Sequence, residues 1–265
     1  MKQKTIARSF SLSGIGLHSG KPTSIKVNTA PENHGIVFIQ EGKKVPARIE
    51  SVRETRRGTF LEGIAVTEHF LAAASGLGID NLMVEVKGEE LPALDGSALP
   101  YVEALAQAGR LEQNAEKHFI SLAETIELHA GDASLSVSPG DGLEIKFMVE
   151  FPVIGVQRMT FSLSDAAFKR EIAPARTLGF MEEYEKLKKQ GLALGASLEN
   201  ALVIGQDGYL NAPRFPDEVV RHKILDLLGD LALLGRPLKA SITAVKSGHQ
   251  LNIALVRRLL ENDRT

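Results

Sequence analysis

Apolar and polar residues alternate in short runs through the first part of the chain. Ser24-Ile25-Lys26-Val27 and Gly35-Ile36-Val37-Phe38-Ile39, set between Pro, Asn and Gly, predict strands. After Leu61 to Val66 the period changes. Thr67 is an N-cap candidate, and Phe70, Leu71 and Ala74 follow it on one helical face. Asn81 to Val86 predicts a strand, and Leu99 to Ala108 a helix closed by Gly109. The polar run from Glu112 to Lys117 predicts a linker. Further on, Met181 to Gln190 predicts a helix stopped by Gly191, and Pro216 to Leu234 a long helix between Pro and Gly235. Ser241 to Val245 predicts a strand and Leu251 to Glu261 a closing helix.

The second half echoes the first. Ile15-Gly16-Leu17-His18-Ser19-Gly20 before Ser24-Ile25-Lys26-Val27 is matched by Ile126-Glu127-Leu128-His129-Ala130-Gly131 before Ser134-Leu135-Ser136-Val137. Both halves run strands first and then helices. Two α+β domains of similar plan are expected, over 1–112 and 118–265.

Composition narrows the function classes. The 265 residues include no cysteine, which excludes a disulfide framework, an iron–sulfur cluster and a cysteine nucleophile. His and carboxylate ligands for zinc remain available. Lys plus Arg is 31 against 33 acidic residues, so the basic excess of a nucleic-acid surface is missing. No stretch approaches the roughly 20 apolar residues of a membrane span, and residues 1–8 lack the apolar core of a secretory signal. The expectation is a soluble, cytoplasmic enzyme.

The long helix is the most informative segment. His222, Asp226 and Asp230 recur every four residues and stack along one stripe, roughly 6 Å apart. Such a stripe is often a wetted helix face. Here Val219, Leu225, Ala232 and Leu233 share its side, and Val220, Ile224, Leu227, Leu228 and Leu231 cover the other. A helix apolar nearly all round is buried, and buried carboxylates need partners. A metal ion on His222 and Asp226 and a histidine on Asp230 would supply them.

Two further segments carry candidate chemistry, each with a bland alternative. Glu68-His69, behind Thr67, reads either as acidic complement to a helix dipole or as a third metal ligand beside a carboxylate base. His249, in Lys246-Ser247-Gly248-His249, is either a loop residue or an acid whose pKa Asp230 raises. His34, His118 and His129 have no companions in sequence and read as structural or exposed. His18 sits between glycines, where backbone approaches a ligand closely. Ala175-Arg176-Thr177 forms a turn able to present the Thr177 hydroxyl.

In order, these segments resemble the UDP-3-O-acyl-N-acetylglucosamine deacetylases, zinc enzymes of lipid A biosynthesis. The resemblance rests on Gly-Leu-His-Ser-Gly at 16–20, Thr-Glu-His at 67–69, Gly-Ile-Asp-Asn at 78–81 and Leu-Asp-Gly-Ser-Ala at 94–98. It continues with Ala-Arg-Thr at 175–177, Val-Arg-His-Lys-Ile-Leu-Asp at 220–226 and Lys-Ser-Gly-His at 246–249. It implies two similar α+β domains, each a sheet backed by helices, with the helix layers facing and the site between them. It also implies a helical insert near 181–205 that lines a tunnel for the acyl chain.

By matching position, His69, His222 and Asp226 would bind Zn2+. Glu68 would be the general base, His249 the cationic partner, Asp230 its orienter and Thr177 an oxyanion donor. Lys223, His18, Phe151 and Phe168 would contact the acylated UDP-sugar. Departures from the family pattern occur at Phe151-Pro152, at Ala212-Pro213-Arg214-Phe215 and at Leu178 after Thr177. None touches the metal or acid–base positions. A monomer with no nucleic-acid partner is expected. A deacetylase of another N-acetylated sugar, or a non-catalytic binder of acylated sugar nucleotides, are the alternatives.

Overall fold

A computed structural model of the chain describes residues 1–263. Its first five-stranded sheet runs in the order Phe10–Ile15, Pro22–Thr29, Leu82–Lys87, Ile36–Gln40, Lys43–Pro46. Neighbours are antiparallel except Ile36–Gln40 beside Leu82–Lys87. The second sheet repeats this plan: Ile126–Ala130, Ala133–Pro139, Leu238–Val245, Leu143–Phe151, Gly155–Ser162. Its parallel pair is Leu143–Phe151 beside Leu238–Val245, and Ile120–Ser121 adds a short parallel partner to the latter. In each of these sheets two hairpins form the outside, and the sheet's last strand in sequence lies between them. The repeat seen in the sequence falls on equivalent strands: Ile25 and Val27 in one half, Leu135 and Val137 in the other, are buried. This is an α+β fold of two matching halves.

The helices repeat as well. Helix α1 (Glu68–Gly76) precedes the central strand of the first half and α2 (Leu99–Ala108) follows it. The second half adds a single turn, α3 (Asp165–Ala167), and α4 (Met181–Lys189), then places α5 (Glu218–Leu231) before its central strand and α6 (His249–Asn262) after it. Helices α1 and α5 pack on each other, so the helical layers of the two halves meet in one continuous core. Small residues permit the contact. A Cβ at Gly229 of α5 would lie 2.2 Å from the Glu68 carbonyl oxygen of α1.

Several expectations are corrected. The run at 112–117 is no linker: Arg110–Glu116 is a strand antiparallel to Lys2–Ile6. Its side chains stay mostly exposed, so it lacks the apolar alternation that marks a strand. The stretch 181–205 is helical only over α4, and Leu202–Ile204 pairs in parallel with Leu178–Phe180. The long helix ends in a 3-10 turn, Ala232–Leu234, closed by Gly235 at φ 67°. Thr67 does not cap α1 with its side chain but donates its hydroxyl to the Thr59 carbonyl at 3.2 Å. Phe168, expected to contact substrate, is 0% exposed. It fills the space opposite Gly76 of α1, where a Cβ would meet its ring at 2.3 Å.

That contact gives a prediction. Gly76→Ala would push a methyl into the Phe168 ring, an overpacking expected to cost about 1–3 kcal/mol. Urea unfolding of the two proteins measures it.

Candidate active site

Helix α5 carries a charged stripe that the core has enclosed. His222 and Asp226 are each 3% exposed and Asp230 is 0% exposed. His222 Nε2 stands 3.2 Å from Asp226 Oδ1, as expected one turn apart on one face. Its other nitrogen, Nδ1, donates to the Ala175 carbonyl at 3.2 Å, which leaves the Nε2 lone pair turned inward. From the facing helix α1, His69 brings its Nε2 to 3.8 Å from the same Asp226 oxygen. The two imidazoles stand nearly perpendicular, with centroids 5.0 Å apart.

Three ligand atoms from His69, His222 and Asp226 therefore lie within 4.8 Å of one another in buried surroundings. Burial and the neighbouring His222 pull the His69 pKa down to about 3, and burial also lowers that of His222. Both rings are neutral at physiological pH, and the His222 Nε2 lone pair and the His69 Nε2 converge on one carboxylate oxygen. Burial works against the Asp226 charge, but His222, Lys223 and His249 outweigh it and hold the carboxyl below its ordinary range. Converging acceptors of this kind fit a divalent cation with mixed nitrogen and oxygen ligation.

Beside this cluster lie two further buried titratable groups. Glu68, the first residue of α1, is 3% exposed, and its Oε2 accepts the Thr59 amide at 3.0 Å. Burial pushes its pKa up to about 7, with the Asp226 charge adding to the rise and His249 opposing it. His249 begins α6 and is not a loop residue. Its Nδ1 donates to Asp230 Oδ2 at 2.8 Å, and its Nε2 faces Asp226 Oδ2 at 3.8 Å. Burial disfavours its charge, yet Asp230 and Asp226 together raise its pKa to about 10. The result is a carboxylate poised near neutrality and an imidazolium fixed beside it.

A profile of the UDP-3-O-acyl N-acetylglycosamine deacetylase family matches residues 3–261. This chain belongs to that family. The UDP-3-O-acyl-N-acetylglucosamine deacetylase of Anaeromyxobacter sp. (strain Fw109-5) is 44% identical over 97% of the chain and 88% of its own length. Proteins of the same name from Myxococcus xanthus and Coxiella burnetii are 43% and 40% identical over 98% of the chain. The chain is thus an enzyme, a deacetylase of a metalloenzyme family.

The remaining expected residues of this deacetylase fall in different places. The Lys223 ammonium binds Asp226 Oδ2 at 2.9 Å, at the edge of the His69, His222 and Asp226 cluster. Thr177 is half-buried two residues beyond Ala175, the residue that orients His222. The two His18 ring nitrogens meet backbone groups, the Arg57 carbonyl at 3.2 Å and the Ala193 amide at 3.3 Å. Its imidazole thereby joins a loop of the first half to the loop after α4. Phe151 is half-buried against Phe180, with ring centroids 5.3 Å apart.

Three residues of the site were not singled out from the sequence. Thr59 is described above, and Asn252 donates to Asp230 Oδ2 at 2.9 Å. The third, Glu218, continues the four-residue spacing of His222, Asp226 and Asp230 back to the first turn of α5. It is 0% exposed and accepts the Arg176 amide at 2.9 Å, with the Arg176 guanidinium at 2.9 and 3.1 Å. This pair holds the Ala175–Thr177 segment on α5. Several site loops also turn through positive φ at residues other than glycine: Arg57 (63°), Val66 (56°), Leu94 (52°) and Lys246 (50°). For Val66, branched at Cβ and next to Thr67-Glu68, this is a strained conformation that packing must hold in place.

The Arg176–Glu218 pair yields a pH prediction. Burial opposes ionisation of Glu218, but its bonds to Arg176 dominate and hold its pKa below the ordinary 4.5. A depressed carboxyl stabilises the fold above its unfolded pKa, and that stability is lost as pH falls through the folded value. Glu218→Gln should cost about 3–5 kcal/mol at pH 7, as for other broken buried pairs. The gap to wild type should narrow below pH 4.5. Denaturant unfolding across pH measures both.

Proposed function

We propose that this chain hydrolyses the N-acetyl amide of UDP-3-O-acyl-N-acetylglucosamine, releasing acetate and the free 2-amino sugar nucleotide for lipid A biosynthesis. The observation that carries the reading is the enclosure of Glu68 and the Asp230-bound His249 beside the His69, His222 and Asp226 cluster, in a chain of this family. His69, His222 and Asp226 would hold Zn2+. When bound, the ion supplies positive charge for a carbonyl oxygen and makes water a nucleophile at neutral pH.

The chain's own groups supply the proton transfers. Glu68, with a pKa near 7, takes a proton from water as the water oxygen bonds to the acetyl carbon. Cationic His249, braced by Asp230, lends its outer N–H and its charge to the developing oxyanion, and the Thr177 hydroxyl serves the same oxygen. The C–N bond breaks as the amine takes a proton from this acid–base pair, and acetate departs. Lys223, at the edge of the cluster, and Phe151 would contact the substrate. The proposal includes a monomeric, cytoplasmic enzyme. No described helix is long and apolar enough to cross a membrane.

Acetate release from the acylated sugar nucleotide by purified protein, with and without added zinc, tests the reading directly. Glu68→Ala should lower turnover about 10²–10⁴-fold while bound metal, measured by elemental analysis, is retained. Loss of metal from Glu68→Ala would mean that Glu68 is a ligand rather than the base. The second expectation concerns pH. A raised imidazolium pKa sustains activity until His249 loses its proton, so the rate falls on the alkaline side. Asp230→Asn removes the nearest anion and should move that alkaline limb to lower pH. A pH–rate profile with an unmoved limb would take the pair out of the mechanism.

A further inference from the structure

Thr59 uses every polar atom it has, and its amide and hydroxyl reach groups that serve the acid–base chemistry. The residue is 0% exposed. Its amide donates to Glu68 Oε2 at 3.0 Å, and its carbonyl accepts the Thr67 amide at 3.3 Å and the Thr67 hydroxyl at 3.2 Å. Its own hydroxyl donates to Asp230 Oδ1 and lies 3.3 Å from His249 Nδ1. The two residues before it, Arg57 at φ 63° and Gly58 at φ 149°, shape the turn that delivers it. A Cβ at Gly58 would come within 3.0 Å of Glu68 Oε1.

We propose that Thr59 is a positioning residue of the deacetylation reaction, one that sets the general base and the imidazolium in a fixed relation. The inference rests on the roles assigned to Glu68, Asp230 and His249 above. Because the Thr59 amide occupies Oε2, Oε1 is the Glu68 oxygen left to accept a proton. The hydroxyl acts on the other arm. Asp230 Oδ2 is shared by His249 and Asn252, and among the described residues the Thr59 hydroxyl is the one that engages Oδ1. A carboxylate held at both oxygens cannot swing about its Cβ–Cγ bond, so the imidazole it holds keeps its outer nitrogen turned to the cluster. The amide and the hydroxyl belong to one rigid residue, so a shift of the base carries the imidazolium's anchor with it.

The test separates the two arms, since substitution removes the hydroxyl and leaves the amide. Thr59→Val keeps the shape and takes away one donor to a buried carboxylate, which predicts a fall in kcat of about 10–100-fold. KM and metal content should stay within about twofold of wild type, because the hydroxyl touches neither substrate nor ligand atoms. Thr59→Ser should recover most of the loss. In an Asp230→Asn background, adding Thr59→Val should cost less than about threefold, since the hydroxyl acts through Asp230.

The proposal is overturned by a full multiplicative loss in that double variant, by a Ser variant as slow as the Val variant, or by a rise in KM with kcat kept. Circular dichroism melts accompany each variant. If Thr59→Val does not fold, Thr59→Ala and Thr59→Ser carry the same comparison. Failure of the underlying reading looks different: there Glu68→Ala and Asp230→Asn would themselves retain full turnover. If those two are slow and Thr59→Val is not, the Thr59 proposal alone falls.

Discussion

Helix α5 can lie against the first turn of α1 only because residue 229 has no side chain. A methyl group there would overlap the Glu68 carbonyl. The two helices come from different halves of the chain, and neither holds a complete site. His222 and Asp226 arrive from α5, and Glu68 and His69 from α1. The three candidate ligand atoms converge because backbone meets backbone at Gly229, one residue before Asp230. An interface of larger side chains sets helix axes about 8–10 Å apart, and short side chains at the contact bring them toward the lower end.

That closeness has an electrostatic cost, which is met along the length of α5. Glu218, Asp226 and Asp230 are all buried acids on one helical stripe, and each finds positive or donor groups on another segment. Glu218 meets Arg176, Asp230 meets His249 on α6, and Asp226 has Lys223 beside it and faces the same His249 imidazolium at 3.8 Å. Buried pairs of this sort add little net stability against an apolar alternative, but a wrong docking that leaves one acid unpaired is heavily penalised. The stripe acts as a register for α5, fixing it to the 175–177 turn, to α1 and to α6 at successive turns.

Much of this was legible in the sequence because it is periodic. The four-residue spacing of His222, Asp226 and Asp230, amid apolar residues on every side, identifies buried acids from the pattern alone. Glu218 continues the series but looks like an ordinary acidic residue in a first helical turn. Glu68-His69 is legible only through the family pattern, since a Glu at a helix start has a commonplace explanation. Thr59 could not be read at all. Its partner Asp230 is 171 residues away and nothing local marks the hydroxyl. Phe168 was misread for a related reason: an aromatic that matches a motif position looks the same whether it faces a cleft or fills the space opposite Gly76. The strand Arg110–Glu116 escaped because its exposed side chains leave no alternation to detect.

The order of strands has a consequence for how the chain acquires its site. In each of the two large sheets the central strand is the last one made, Leu82–Lys87 in the first and Leu238–Val245 in the second. Two hairpins can form early from local contacts, but they stay apart until that strand slots between them, and its pairings span long stretches of sequence. During synthesis the second sheet is therefore left open across its middle until residues 238–245 clear the ribosome. Helix α5 is already made by then but has only part of its bed, with three acids exposed. His249 is made just after the closing strand. The imidazole that neutralises Asp230 thus arrives together with the strand that completes the sheet, and the burial of charge is tied to the last step of vectorial folding.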